Sequence, residues 1–208
     1  MSDVKLVWIT PNAGSVIAHC ARVSNPSNQD NPDYAKLLDY CLRNKHFSVF
    51  EMASACFEIK CSRTIARQIL RHRSFSFAEF SGRYAEMPET PILSGARRQD
   101  SKNRQNSIDD FDDSTKEMWA DLQCQIWGAA KCAYNDALRA GIAKEVARNV
   151  LPEGMTQSTM YMTGTIRSWI HYLDVRTGNG TQLEHIEVAK QIQDVLKIEL
   201  PAIFAKVS

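Results

Sequence analysis

The chain has six cysteines, Cys20, Cys41, Cys56, Cys61, Cys124 and Cys132, but no C-x-x-C pair. No histidine stands at a zinc-like distance from them, so a metal site is not expected and the thiols are read as reduced and partly buried. Nowhere do about 18 apolar residues run together. The start M-S-D-V-K-L has no basic stretch ahead of an apolar core, which argues against a leader and for a cytoplasmic protein. An excess of charge is missing too. Twenty-five Lys plus Arg face 24 Asp plus Glu, a net +1, so no global field recruits nucleic acid or an anionic membrane, and any basic patch must be local. No G-x-G-x-x-G follows a strand-like run, so a Rossmann dinucleotide site is not supported. Internal repeats and low-complexity tracts are absent as well.

What is present suffices for a core. With 208 residues and 44% hydrophobic content, residues 1–208 are expected to form one compact domain. Val4–Ile9 reads as a strand broken by Pro11, Asn12 and Gly14, and a helix is expected from Ser15 to about Val23. Turn formers fill Asn25–Pro32, and Asp33–Asn44 carries Tyr34, Leu37, Leu38 and Cys41 at helical spacing. In Ala53–Cys61, Ala55, Phe57, Ile59 and Cys61 alternate with polar or small neighbours, the period of a half-buried strand. Pro88–Ser107 is rich in proline and polar residues and holds Arg97, Arg98, Lys102 and Arg104, so an ordered core element is not expected there. It reads either as a cationic loop that closes over ligand or as a mobile surface loop. Asp109–Ala140 predicts a long helix packing on a core or a partner subunit, and Ala143–Val150 a short one stopped before Pro152. Met155–Met162 reads as strand, with helices over Ile166–Val175 and Leu183–Leu200. A few strands among separated helices predict an α+β fold, an antiparallel sheet packed against helices that include the long one.

The densest chemistry lies in Arg71–Tyr84, R-H-R-S-F-S-F-A-E-F-S-G-R-Y. Just before it, Ile65, Ala66, Ile69 and Leu70 share one helical arc while Arg63, Arg67, Arg71 and Gln68 fall opposite. A helix continued to Arg73 would aim that guanidinium into the apolar arc, where an unpaired charge is expensive. Either the helix stops earlier or Arg73 meets a buried anion. Guanidinium forks suit bidentate phosphate contacts, so the set suggests a phosphorylated ligand; a solvated basic helix face is the competing account.

Arg71-His72-Arg73 followed after seven residues by Ser81 resembles the signature of flavin-dependent thymidylate synthases. Three further segments resemble that family in the right order: H-F-S-V-F-E (His46–Glu51), E-V-A-R-N-V-L-P (Glu145–Pro152) and T-I-R-S-W-I-H-Y-L-D-V-R (Thr165–Arg176). The resemblance begins near Ala21 and runs through the last helix. It implies FAD as bound cofactor, dUMP as substrate, 5,10-methylenetetrahydrofolate and NADPH as co-substrates, and a homotetramer with shared active sites. The reaction so implied is reductive methylation of dUMP to dTMP. A uracil carbon is a poor nucleophile, and a fixed guanidinium that stabilises negative charge on the imide makes it more enamine-like.

By the resemblance that catalytic arginine is Arg176; helix geometry alone favours a cation that caps a helix C-terminus. Flavin contacts carry over onto Ser48, Arg71, His72, Arg73, Glu79, Thr165, Ile166, Arg167 and His171. Nucleotide contacts carry over onto Gln68, Arg71, Glu79, Phe80, Ser81, Gly82, Arg83, Arg148 and Arg176, with His46 matching a histidine that positions folate. Ser81 has no adjacent base to activate it and is read as a phosphate donor, and no cysteine is required as nucleophile. Many members carry Asn or Gln where Ala78 stands and Asn where Thr165 and His171 stand, so polar contacts there are altered. These departures motivate one alternative, a flavoprotein that has lost methylation; the basic residues of 63–104 motivate another, a nucleic-acid-binding module.

Overall fold

A strand with one wholly apolar face requires a layer to cover that face. In the computed structural model, which describes residues 2–178 and 180–205, that strand is β2 (Ser54–Ser62). It lies between β1 (Asp3–Ile9) and β6 (Gln157–Thr165), and β3 (Ser76–Glu79) closes the far edge, giving an antiparallel sheet of order β1-β2-β6-β3. Ala55, Phe57, Ile59 and Cys61 are buried as the alternation predicts, joined on that face by Met160 and Met162. The covering layer contains α1 (Ala13–Ala21), α2 (Ala35–Arg43), α3 (Arg63–Ile69), α6 (Ile166–Arg176), α7 (Leu183–Glu199) and α8 (Pro201–Phe204). Their apolar stripes, including Ile17, Leu38, Ile65, Trp169, Leu173, Val188, Ile192 and Phe204, complete one core. The α+β expectation is met.

Strand ends lead directly into helices because hydroxyls cap them. Ser62 Oγ accepts from the Ile65 amide where β2 becomes α3, and Thr165 Oγ1 accepts from the Ser168 amide where β6 becomes α6.

The long helix α4 (Asp113–Arg139) starts at an Asp112 cap, whose Oδ1 accepts from the Thr115 amide at 2.8 Å. It ends at Gly141, whose φ of 80° is a left-handed conformation that glycine adopts without strain. Trp119, Gln123, Trp127 and Lys131 recur every four residues, so they stack on one face. Each bonds the main chain of the segment following the motif. Trp119 and Gln123 donate to the Ser94 carbonyl, Trp127 to that of Glu89, and Lys131 to that of Met87; Tyr134 accepts from the Met87 amide. Residues 87–94 are therefore tied to a helix although they form no regular element. Further on, β4 (Arg98–Gln99) pairs with β5 (Ser107–Ile108), a small hairpin the composition did not suggest. A short α5 (Lys144–Ala147) follows α4, and Met87, Trp127, Tyr134, Ala147, Leu151 and Met155 form a second apolar cluster. Met118, Leu122 and Ile126, on another face of α4, are 52%, 42% and 55% exposed, so in one chain this helix packs along a single stripe.

Candidate active site

Helix α3 stops at Ile69, which resolves the position of Arg73. The Arg71, His72 and Phe75 amides bond to the carbonyls of Gln68, Ile69 and His72 in a run of turns, so Arg71-His72-Arg73 leaves the helix and Arg73 points away from the core. Arg71 and Arg73 are exposed and, among the described residues, have no carboxylate partner. Two such guanidinium groups beside a half-buried imidazole have the donor chemistry that suits an anion.

His72 meets the late arginine. Arg176 Nε donates to His72 Nε2 at 2.8 Å across 104 residues of sequence. A bare Nε2 demands a neutral ring, and the surroundings enforce one: burial, then the charges of Arg176, His171 and Arg71, lower the His72 pKa to about 4. The ring also packs edge-on against Tyr172 at 5.0 Å, and Phe75 packs in the same cluster against Trp169 at 4.6 Å. Arg176 sits at the end of α6, as a helix-terminal cation would, with its guanidinium held at the motif and its Nη groups still able to donate.

On the outer side of α6 lies a cleft of about 1000 Å³, lined by Leu42, Arg43, Lys45, Phe47, Glu51, Ser74, Thr165, Arg167, Ser168, Ile170, His171 and Asp174. Three of the expected flavin contacts, Thr165, Arg167 and His171, line it, and Ser48 adjoins Phe47. Ile166, by contrast, is fully buried in the core. The Thr165 hydroxyl is engaged as the α6 cap, and Arg167 pairs with Glu51. Lys45, at φ 58°, turns the chain after α2, and exposed His46 stands in sequence between the cleft-lining Lys45 and Phe47, its ring 5.8 Å from that of Tyr40. Arg43, Lys45 and Arg167 supply cations, Phe47, Leu42 and Ile170 apolar surface, and Ser74 and Ser168 hydroxyls. Such a donor set and size fit a large, partly aromatic, anionic cofactor.

The second half of the motif forms another group. Glu79 accepts from Ser158 Oγ at 2.5 Å, and burial, then the Glu79 charge, push the Cys61 thiol up to about 12, leaving that thiol protonated and unreactive. Arg83 Nε donates to Glu145 at 3.1 Å. Gly82 is buried against Met87 Sδ and Arg148 Cδ, and a Cβ there would collide with the sulfur. Arg148 lines a smaller pocket of about 190 Å³ with Arg63 and Arg67. Among the described residues no hydrogen bond or ion pair links the Ser81–Arg83–Arg148 group to His72 and Arg176, and Phe80 packs toward the second apolar cluster. The structure thus brings expected residues together as two groups, one around His72 and Arg176 and one around Arg83 and Arg148.

A third set was not anticipated. Gln68 Nε2 donates to Gln182 Oε1 at 2.7 Å, and its Oε1 faces His185 Nδ1 at 3.3 Å. His185 Nε2 lies 3.0 Å from the Tyr172 hydroxyl, and His185 is completely buried. Gln182 continues to Glu184, and Glu184 to Arg97 at 2.6 Å. Arg98 pairs with Asp110. Two of the four loop cations are thus engaged inside the chain. A histidine among helical polar positions gives no warning of such a role; the only sequence signal is its place in the turn that follows the N-cap of α7.

The model of the family described as thymidylate synthase complementing protein matches residues 5–202. A probable flavin-dependent thymidylate synthase of Paramecium bursaria Chlorella virus 1 is 52% identical over 192 residues, 92% of this chain and 88% of that one. A flavin-dependent thymidylate synthase of Synechocystis sp. is 50% identical over 190 residues, 91% and 87% of the two chains. Among solved structures, the UMP/dUMP methylase PolB from Streptomyces cacaoi bound with 5-Br dUMP superposes with a TM-score of 0.87 at 26% identity, over 99% of this chain and 93% of that one.

Proposed function

The chain belongs to the thymidylate synthase complementing protein family, and on that basis we propose how its own residues methylate deoxyuridylate. It is an FAD-dependent thymidylate synthase, converting dUMP to dTMP. The observation that carries the residue-level reading is the Arg176–His72 bond, because it joins the end of α6 to the R-H-R turn.

FAD, when bound, would supply the redox chemistry that links NADPH to the methylated ring. Arg43, Lys45 and Arg167 of the large cleft, together with Arg71 and Arg73 outside its lining, would hold its anionic part, and Ser48, Glu79, Thr165 and His171 would bound its remaining surface, with Ile166, buried in the core, able to contribute only its main chain. Gln68, Arg71, Glu79 and Arg176 face the uracil and sugar. Ser81, Gly82, Arg83, Phe80 and Arg148 form the phosphate end, with Gly82 allowing Met87 and Arg148 to pack directly against its main chain. Arg176, pinned through Nε, turns its remaining donors to the uracil imide and carbonyl and stabilises the negative charge that activates the ring carbon. His46, next to cleft-lining Phe47, positions 5,10-methylenetetrahydrofolate.

Residues 1–208 act as one domain, and the active species is a homotetramer in the cytoplasm; six free thiols suit a reducing compartment, and no described helix is long and apolar enough to cross a membrane. The exposed Met118, Leu122 and Ile126 stripe of α4 supports assembly. In that assembly each complete site is read as taking Arg176 from one chain and Arg148 from another. Mixing inactive Arg148→Ala and Arg176→Ala chains under subunit exchange is then expected to restore about a quarter of wild-type activity, by random pairing in a symmetric assembly. Activity that stays at the level of the separate variants would show that one chain builds the whole site.

A further inference from the structure

We propose that His185 is a positioning residue that fixes the orientation of the Gln68 amide, through a hydrogen-bond chain whose direction is set by the Glu184 carboxylate. The inference rests on the reading of Gln68 as a nucleotide contact, and His185 itself touches no ligand.

The direction follows from donor and acceptor inventory alone. Glu184 is ionised: burial pulls its pKa upward, but a backbone amide, Arg97 and Gln182 outweigh that and hold it below the usual carboxylate range. An ionised carboxylate only accepts, so Gln182 must offer it Nε2, at 2.9 Å. That leaves Gln182 Oε1 to accept from Gln68 Nε2. Gln68 Oε1 is then turned toward His185, whose Nδ1 must carry the proton. His185 Nε2 is consequently bare and accepts from the Tyr172 hydroxyl. Reversing any link would place two donors or two acceptors face to face in a site where His185 is wholly buried, an arrangement that low dielectric makes costly. Burial, then the charge of Arg176, lower the His185 pKa to about 3, so the neutral ring this chain requires is the one present. Tyr172 remains protonated, because burial raises its pKa.

Gln68 has one more N–H and one more lone pair to present to a ligand. Their positions are distinguishable only while the amide cannot flip. A flipped amide exchanges donor and acceptor and inverts the pattern offered to the edge of a pyrimidine. His185 therefore acts on nucleotide recognition from behind the residue that performs it.

The test compares wild type, Gln68→Ala, His185→Phe, His185→Asn and the double variant Gln68→Ala/His185→Phe, all loaded with FAD and assayed with dUMP. His185→Phe keeps the volume and removes both ring nitrogens. It is expected to raise the KM for dUMP about tenfold, the weight of one buried hydrogen bond, with kcat at saturating dUMP and flavin reduction by NADPH unchanged. His185→Asn retains a donor near the Nδ1 position and is expected to recover most of the loss. In the double variant His185→Phe adds nothing to Gln68→Ala, because the residue it positions is gone. Where His185→Phe does not fold, Tyr172→Phe carries the test. It removes the donor that keeps Nε2 bare, so the KM rises in the same direction by about threefold. An unchanged KM in a folded His185→Phe protein, or effects that multiply in the double variant, overturns the inference. A wild type that does not turn over dUMP, or a Gln68→Ala variant that binds dUMP normally, would instead strike the reading beneath it.

Discussion

Arg176→Ala is expected to lower kcat for dUMP methylation by about two to three orders of magnitude while leaving reduction of bound FAD by NADPH within about twofold of wild type. The size follows from the task assigned to the guanidinium. Charge that develops on the uracil imide as the ring carbon attacks is stabilised by donors already fixed in place, and a preorganised donor in a partly buried site is worth far more than water that must reorient. Fixation comes from His72, whose neutral Nε2 accepts from Arg176 Nε at 2.8 Å. Arg176→Lys is expected to recover little, since a single ammonium cannot hold His72 and face the ring with the same planar fork. Stopped-flow reduction and steady-state turnover measured on the same preparation separate the two half-reactions. Equal losses in both would mean that Arg176 serves flavin binding and not the activation of uracil.

Gly164→Ala is expected to destabilise the protein by about 1–3 kcal/mol, the usual cost of overpacking, and to lower kcat several-fold although residue 164 touches no ligand. A Cβ at 164 would stand 2.5 Å from Phe75 Cδ1 and 2.7 Å from Cε1, in the aromatic cluster that includes Trp169. Phe75 contacts Tyr172 at 5.9 Å and His72 at 6.4 Å between ring centres, so displacing it loosens the seat of the imidazole and through it Arg176. Gly128 supplies the control, because nothing lies within 4 Å of its added Cβ and its helical position favours alanine. Urea midpoints and kcat for both variants decide the matter. A Gly164→Ala protein as stable as wild type would refute the packing argument.

The parts of the fold that could be read in advance are those where burial follows periodicity. Ala55, Phe57, Ile59 and Cys61 alternate because β2 has one face on the core, and the helices over Ile166 and Leu183 keep an apolar stripe for the same reason. β3 escaped because Ser76–Glu79 is four residues long and stands at an edge, where pairing with β6 comes from the fold and not from any local pattern. The ladder of α4 was hidden differently. Gln123 and Lys131 are polar, yet they are buried because each bonds an irregular main chain that would otherwise lack partners. At the site, the residue types of Arg71–Tyr84 announced an anion-binding surface, and the resemblance supplied the identities. Neither conveyed that His72 would receive Arg176 or that His185 would stand behind Gln68, since both contacts span more than a hundred residues. The loop near Arg97 was legible as cationic, but not that Glu184 would hold it.

The most direct test of the central claim is an anaerobic absorbance experiment. The protein is loaded with FAD, reduced with one equivalent of NADPH, and then given 5,10-methylenetetrahydrofolate, dUMP, or both. Reoxidation of the flavin only when both are present, with dTMP formed in equal amount, is the predicted result. A flavin that stays reduced in the complete mixture, or that reoxidises without dUMP, would contradict the assignment of this cleft to reductive methylation.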